Sequence, residues 1–243
     1  MRSFKDYLEN QLLRKVNKAI WKYNMITDGD RIAVAISGGK DSLSLLHLLN
    51  ARHASSKEKY DLIAIHVMGD SNGSRKTPHQ PLVAWLKAND FECLNVPLFL
   101  PEEESPPLDC QRCSWNRKRT LFEAAQRMGC NVVAFGHNAD DLAQTTLLNV
   151  IYQGRAETIL PTQNYFNGAL RVIRPLYNTP ETEFLELSKI NDFPPPPPPC
   201  PQSEDSKRLY ASQLMEQMEK VYPPVRRNLL RAGLREINEE TRK

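Results

Sequence analysis

The sequence predicts an α/β protein with a doubly wound parallel sheet of about five strands, and two observations support this. Short runs rich in Val and Ile have the composition of buried strands: 31–36, 61–67, 91–96, 131–135 and 171–176. Amphipathic segments separate these runs, at 41–53, 80–89, 114–128 and 140–152. Because strand alternates with helix, the strands are expected to pair in parallel and to carry helices on both faces.

Composition and charge limit the classes of protein that the chain can represent. It has 243 residues, of which 40% are hydrophobic, and this suffices for one domain with a full core. The longest apolar runs are far shorter than a membrane span, and no charged-then-apolar leader opens the sequence. We therefore expect a cytoplasmic protein without a membrane partner. The net charge of +3 is too small to indicate nucleic-acid binding by itself.

The elements before and within the sheet follow in order. Residues 1–30 are expected to form an N-terminal helix, because apolar side chains recur at helical spacing from Phe4 to Ile20. Residues 31–193 hold the predicted strands and the helices between them, and form the main α/β domain.

Residues 194–243 differ in character from the rest. Six consecutive prolines (194–199) favour a stiff polyproline II rod, interpreted as a spacer, with a partner-binding ligand as the alternative. Two helices are expected to follow, at 206–221 and 224–239. They form a basic tail, since seven Lys and Arg stand against two Glu between Lys207 and Arg235.

One glycine-rich segment, Ser37-Gly-Gly-Lys-Asp-Ser42, lies where the first strand ends and the first sheet helix begins. Glycines let the backbone turn closely around an anion, and the helix N-terminus supplies unpaired amides. The spacing differs from the Walker pattern, which excludes a GTPase-type loop. The predicted phosphate site consists of Ser37, Gly38, Gly39, Lys40, Asp41 and Ser42.

Cysteines form a second candidate site. An odd number of five in a chain without a leader points to free thiols or metal ligands. Cys110 and Cys113 can reach one metal centre but need further ligands, and Cys200 is the natural third because prolines flank it. The pair alone is compatible with zinc, an iron–sulfur cluster or redox chemistry. Cys93 and Cys130 lie in or beside strand patterns and are interpreted as core residues.

The phosphate loop and two further segments resemble the PP-loop ATP pyrophosphatases, which adenylate a carbonyl oxygen and release pyrophosphate. His66-Val-Met-Gly-Asp70 follows the second strand, where that family receives adenine and ribose. Gly136-His-Asn-Ala-Asp-Asp141 is similar to an element of members that thiolate tRNA. The resemblance implies nucleotide binding by His66, Val67, Gly136 and His137, and catalysis by Lys40, Asp41, Asp140 and Asp141. The alternatives are a helix N-cap for Asp140 or Asp141, and a structural, hydrogen-bonded role for His137.

The cysteine spacing resembles the branch of this family that forms 2-thiocytidine in tRNA. Ile173-Arg-Pro-Leu176 also matches its late strand. The resemblance implies that Cys110, Cys113 and Cys200 hold a [4Fe-4S] cluster with one iron open to carry sulfide. The sister branch that thiolates uridine has extra zinc-binding Cys-x-x-Cys pairs, which this sequence lacks.

The mechanism that this resemblance implies is a two-step substitution on an anticodon-loop cytidine of tRNA. ATP would adenylate the C2 oxygen with the help of Mg²⁺ held by Asp41, Asp140 or Asp141, and sulfur would then replace AMP. The sulfur donor would be a cysteine desulfurase persulfide or sulfide, and the N-terminal helix is a candidate homodimer contact. Two basic groups are expected to hold RNA phosphates: Arg112, Arg117, Lys118 and Arg119, and in the tail Lys207, Arg208, Arg226, Arg227, Arg231 and Arg235.

Other functions stay open at this level. Uridine thiolation, or adenylation followed by attack of an amine, would keep the phosphate loop, and in the amine case the cysteines would hold structural zinc. An RNA-binding module without catalysis is a third reading, and the intact loop at 37–42 argues against it.

Overall fold

The computed structural model describes residues 4–73, 77–200 and 207–240, with side chains to 235. Six strands form one sheet in the order β3-β2-β1-β4-β6-β5. Their bounds are β1 Asp30–Ala35, β2 Tyr60–Met68, β3 Cys93–Pro97, β4 Val132–Ala134, β5 Thr162–Tyr165 and β6 Leu170–Ile173.

Eight α-helices are present in the described residues. They are α1 Phe4–Lys22, α2 Lys40–Ser55, α3 Gln80–Ala88, α4 Cys110–Arg127, α5 Ala139–Gln153, α6 Glu181–Ile190, α7 Lys207–Val221 and α8 Val225–Glu240. Ser206, the expected start of α7, lies outside the described residues. None of these helices has both the length and the apolar character needed to cross a bilayer.

The sheet confirms the predicted fold class and adds one strand. The five expected strands all pair in parallel. The sixth, β5, runs antiparallel to β6 at the edge, where Tyr165 pairs with Leu170. Its sequence Thr-Gln-Asn-Tyr is polar because an edge strand contacts only one neighbour, so the composition used to find buried strands did not detect it.

Helices cover both faces of the sheet. On β1, Ile32 and Val34 pack with α1, α2 and α6, whereas Ala33 between them packs with α4 on the opposite face. This alternation follows from the two-residue period of a strand. The strand order places β1 between β2 and β4. The chain runs from β1 outward through β2 and β3, and then crosses back to β4 on the other side of β1, so the direction of winding reverses between β1 and β4. Such a switch point is where open α/β sheets bind ligands, at the carboxyl ends of the strands.

The two tail helices pack against α5 and not away from the domain. Ala211 and Met215 of α7 are buried against Ala143 and Leu147 of α5. On α8, Gly233 approaches α5 so closely that a Cβ there would lie 2.5 Å from Thr146 Oγ1. The tail is therefore held beside the switch point.

Candidate active site

The loop between β1 and α2 is closed by its own serine hydroxyls. The Oγ atoms of Ser37 and Ser42 lie 3.1 Å apart, and the amide of Gly39 donates to Ser37 Oγ at 3.2 Å. Gly38 has a φ of +86°, in the left-handed region that favours glycine. Gly39 begins α2 without a side-chain cap, so the first helical amides face outward for an anion.

Lys40 and Asp41 follow this loop on the first turn of α2. The Lys40 ammonium is bonded to Glu181 of α6 and lies 3.3 Å from Asp41 Oδ2. Burial lowers the pKa of Lys40, but the hydrogen bond to Glu181 and the charge of Asp41 outweigh it and raise the pKa. Lys40 is therefore charged and tied to α6.

The Asp41 carboxylate is the second charged group of this turn. Burial raises the pKa of Asp41 to about 6, against the effect of Lys40. Its Oδ1 is buried without a hydrogen-bond partner among the described residues. A hard divalent cation such as Mg²⁺ would satisfy that oxygen.

The loop after β4 contacts the first loop at Gly136. A Cβ on this residue would lie 2.9 Å from the carbonyl oxygen of Asp41 and 3.0 Å from the amide nitrogen of Ser42. The backbone of the loop after β4 thus lies so close to the backbone of the first loop that only glycine fits at position 136. This explains why the carboxyl ends of β1 and β4 share one site.

The same loop opens α5 with a capping box. Asn138 Oδ1 accepts from the amides of Asp140 and Asp141 at 2.9 and 3.2 Å, and Asp141 accepts from the amide of Asn138. The Asp140 carboxylate accepts from Arg226 and from the amide of Glu181, at 2.8 and 2.7 Å. Burial raises the pKa of Asp141, opposed by the amide of Asn138 and by Arg208.

His137 lies between an aromatic ring and a buried arginine. Its ring stacks on Phe135, with centroids 5.5 Å apart, and its Nδ1 accepts from Arg174 Nε at 3.2 Å. Burial, followed by the charge of Arg174, lowers the pKa of His137 to about 3. The imidazole is therefore neutral, and its proton is on Nε2 because Nδ1 is an acceptor.

These loops surround a cavity of about 970 Å³, of a size suited to a nucleotide. Of the predicted residues, its wall includes Ser37, Asp41, Ser42, His66, Val67, Gly136 and His137. The others adjoin the same loops without forming the wall: Gly38, Gly39, Lys40, Asp140 and Asp141.

The end of β2 forms the opposite side of the cavity. His66 Nδ1 donates to the carbonyl of Ile36 at 2.8 Å, and this bond fixes the start of the phosphate loop. Arg117 of α4 donates to the carbonyls of Val67 and Gly69 at 2.7 and 2.6 Å. The helix that carries the cysteine pair is thereby attached to the segment expected to receive adenine.

The proline run crosses the phosphate loop. A Cβ on Gly38 would lie 2.9 Å from Pro197 Cδ, and Pro197 and Pro198 line the cavity. His79 Nε2 lies 3.0 Å from the carbonyl oxygen of Pro195. The run is therefore a wall of the site that leads from α6 to Cys200.

The three candidate ligands are neighbours. Cys110 and Cys113 occupy the first turn of α4, which begins four residues before the predicted segment because Asp109 caps it. Burial raises the pKa of Cys113, Arg117 lowers it, and the thiols of Cys200 and Cys110 are both near enough to raise it further. Three thiols with an adjacent guanidinium fit an anionic iron–sulfur cluster. In the described part of the chain, no three His, Cys, Asp or Glu side chains are arranged around a single ion.

Known proteins similar to this chain are tRNA sulfurtransferases. The tRNA-cytidine(32) 2-sulfurtransferase of Geobacter metallireducens is 35% identical over 238 residues, covering 93% of this chain and 91% of that protein. The one from Geotalea uraniireducens is 34% identical over 241 residues, covering 96% and 94%. The chain belongs to the tRNA-cytidine(32) 2-sulfurtransferase family. No protein-family model matches it.

A solved structure agrees with this family. The U34-tRNA thiolase NcsA from Methanococcus maripaludis, with its [4Fe-4S] cluster, has a TM-score of 0.77 and 26% identity. The match covers 96% of this chain and 80% of that chain. The predicted PP-loop fold and family are confirmed.

Several residues of the site were not assigned a nucleotide-site role from sequence. Arg174 lines the cavity from the end of β6, and Glu181 binds Lys40 from α6. Arg208 lines it from α7, although the sequence suggested RNA binding for it. Each comes from an element far along the chain. The run Ile173–Leu176 and Glu181 resemble the late strand and helix of the family, but this likeness gave neither Arg174 nor Glu181 a role at the nucleotide.

Proposed function

We propose that this chain is an ATP-dependent sulfurtransferase that replaces the C2 oxygen of an anticodon-loop cytidine in tRNA with sulfur, forming 2-thiocytidine. One observation carries the proposal. The cavity that begins at Ser37 and Ser42 is also lined by Ser114 and Arg117, on the turns of α4 that follow the cysteine pair. The cavity therefore extends from the phosphate loop to the part of α4 that directly follows Cys113.

The first step is adenylation. The uncapped amides of α2, with the hydroxyls of Ser37 and Ser42, bind the polyphosphate of ATP. Asp41 and Asp141 would hold Mg²⁺, since this ion uses one or two carboxylates and keeps several waters. The C2 oxygen of cytidine attacks the α-phosphorus and pyrophosphate leaves. His137 lines the cavity and is neutral at neutral pH because its pKa is so low, so its Nε2–H can donate a hydrogen bond to a ligand but the ring carries no positive charge.

The second step replaces AMP. Sulfur adds at C2, the bond from C2 to the adenylated oxygen breaks, and AMP leaves with that oxygen. Cys110, Cys113 and Cys200 would hold the [4Fe-4S] cluster, which when bound supplies the sulfur atom on the iron that has no protein ligand. Arg117 favours the thiolate of Cys113, because its guanidinium adjoins that sulfur.

The partners follow from this chemistry. The target base must be unpaired to enter the cavity, which favours a loop of tRNA. The sulfur donor is proposed to be a cysteine desulfurase persulfide or sulfide. The cytoplasmic location and the homodimer contact on α1 stay predictions.

The test is anaerobic purification, iron and zinc analysis, and mass spectrometry of nucleosides from tRNA incubated with ATP and a sulfide source. Wild type is expected to contain about four irons with absorption near ~400 nm, and to form 2-thiocytidine. Cys113→Ala should lose both, whereas Cys93→Ala should keep both, because Cys93 lies in β3 outside the thiol set.

Two outcomes would contradict the proposal. One zinc per chain and no visible absorption would leave adenylation with an amine nucleophile. Formation of 2-thiouridine in place of 2-thiocytidine would keep the chemistry but move the substrate to that of the U34 thiolase.

A further inference from the structure

Four cationic side chains line the cavity, and three of them are committed to acceptors within the protein. Arg117 donates to the carbonyls of Val67 and Gly69. Lys118 Nζ donates to Tyr165 OH at 2.6 Å. Arg174 donates to the carbonyl of Leu160 at 2.6 Å and to His137. These three side chains form part of the wall, and their hydrogen bonds to the protein hold them in place.

Arg208 is the fourth cation, and its situation differs. It is exposed, on the first turn of α7, and lines the cavity. Within residues 4–73, 77–200 and 207–235, its guanidinium forms no hydrogen bond or ion pair with a carboxylate or carbonyl. An exposed guanidinium with five N–H donors thus lines a cavity whose expected ligand carries a polyphosphate.

The phosphate loop itself does not supply this charge. Lys40, the only cation of the segment 37–42, is bound to Glu181 and Asp41 and is not part of the cavity wall. The charge of Lys40 is therefore already paired with carboxylates of the protein.

Packing of the tail holds α7, which carries Arg208, against α5. Ala211 and Met215, on the next turns of α7, are buried against α5. Its charge acts on both His137 and Asp141 by lowering their pKa values, so the guanidinium stands opposite the loop after β4. Arg208 thus faces the loop after β4, which contacts the phosphate loop at Gly136.

We propose that Arg208 binds the polyphosphate of ATP and stabilises pyrophosphate as it leaves, so that the C-terminal tail completes the nucleotide site. This rests on the proposed function only in taking ATP as the nucleotide. A guanidinium forms paired, charge-assisted hydrogen bonds with phosphate oxygens, and such bonds strengthen as charge develops on the leaving group.

The test measures ATP affinity of the full-length protein without tRNA, for wild type, Arg208→Ala and Arg208→Lys. Arg208→Ala is expected to weaken ATP binding about 10- to 100-fold, as for hydrogen bonds to a charged group. AMP binding should change less than about threefold, since AMP lacks the β- and γ-phosphates. Arg208→Lys should recover part of the ATP affinity, because it keeps the charge but loses the fork.

Arg127→Ala is the matched control, because Arg127 is exposed at the far end of α4 and outside the cavity wall. It should leave ATP affinity unchanged, and thermal unfolding of each variant verifies the fold. Unchanged ATP affinity in Arg208→Ala would overturn the proposal. If tRNA binding then weakens, with a salt dependence reduced by about one phosphate contact, Arg208 belongs to the RNA interface. Equal weakening of ATP binding and AMP binding in Arg208→Ala would also overturn the proposal.

Failure of the proposed function is a separate result. A wild-type protein that forms no 2-thiocytidine, but whose ATP affinity depends on Arg208, would leave the nucleotide assignment intact.

Discussion

The loops after β1 and after β4 have the same local architecture but use their helix N-termini in opposite ways. Gly39 begins α2 with no side-chain cap, so its first amides are left for a ligand. Asn138 begins α5 with a complete capping box, so the corresponding amides are consumed by the protein. A helix N-terminus is thus an anion site only when no side chain already occupies it. The second loop contributes the side chain of His137 to the cavity wall.

The largest effect is expected where the two loops touch. Gly136→Ala places a Cβ within 2.9 Å of Asp41 backbone, which cannot move without shifting the start of α2. We expect a loss of about 100-fold or more in ATP affinity and about 2–3 kcal/mol in the free energy of unfolding. Calorimetric binding and chemical denaturation measure the two effects.

Gly129→Ala is the control for this substitution. Gly129 has a φ of +69° but has open space around its Cβ position, so alanine there adds strain without a clash. It should cost about 1 kcal/mol of stability and leave ATP affinity unchanged. Equal ATP affinities in Gly136→Ala and wild type would mean that the loops do not form one site.

A second prediction concerns acid stability. The pKa of His137 is lowered to about 3, whereas that of a histidine in the unfolded chain is near ~6.5. Below that value the unfolded chain binds a proton that the folded chain excludes, so the free energy of unfolding falls as pH falls. Between pH ~7 and ~5 the loss is about 2 kcal/mol. His137→Asn should therefore lose about 2 kcal/mol less than wild type over this range, by denaturation at each pH.

The titration of Asp41 opposes that of His137, so the contribution of His137 has to be measured as the difference between wild type and His137→Asn. Its pKa is raised to about 6, so its folded form takes up a proton over the same range and stability rises as pH falls. This opposing effect is present in both proteins and cancels in their difference. Identical pH dependence in wild type and His137→Asn would show that His137 is not the neutral, buried base described.

The contrast between the loops also shows what sequence can reveal. The segment 37–42 was identified because glycine and serine at a strand-to-helix junction favour anion binding through local backbone geometry. Asp140 and Asp141 were ambiguous, since the same residue types serve as caps or as ligands. In the structure, Asp141 accepts from the amide of Asn138 in the capping box, while Asp140 accepts from Arg226 and from the amide of Glu181. The partners of Asp140 lie on α6 and α8, and no local pattern encodes such contacts.

The proline run at 194–199 likewise has a local property that the sequence predicts and a position that it does not. Its stiffness follows from composition, but its position against Gly38 depends on where α6 ends and on the length of a rigid rod. Arg208 was visible as a basic residue, yet its side of the cavity follows from the packing of α7 on α5. Local chemistry is thus readable from sequence, whereas contacts between distant elements are not.

The smallest effect is expected at the cap of the second loop. Asn138→Ala removes the acceptor for the amides of Asp140 and Asp141 and should cost about 1 kcal/mol of unfolding free energy, whereas Asn138→Ser should retain most of it. ATP affinity should fall less than in Ser42→Ala, because Asn138 is buried and outside the cavity wall while the Ser42 hydroxyl forms part of it. Denaturation and ATP titration of the three variants measure this. A larger loss of ATP affinity in Asn138→Ala than in Ser42→Ala would mean that the amides of α5 also bind the nucleotide, and the distinction between an open and a closed helix N-terminus would fail.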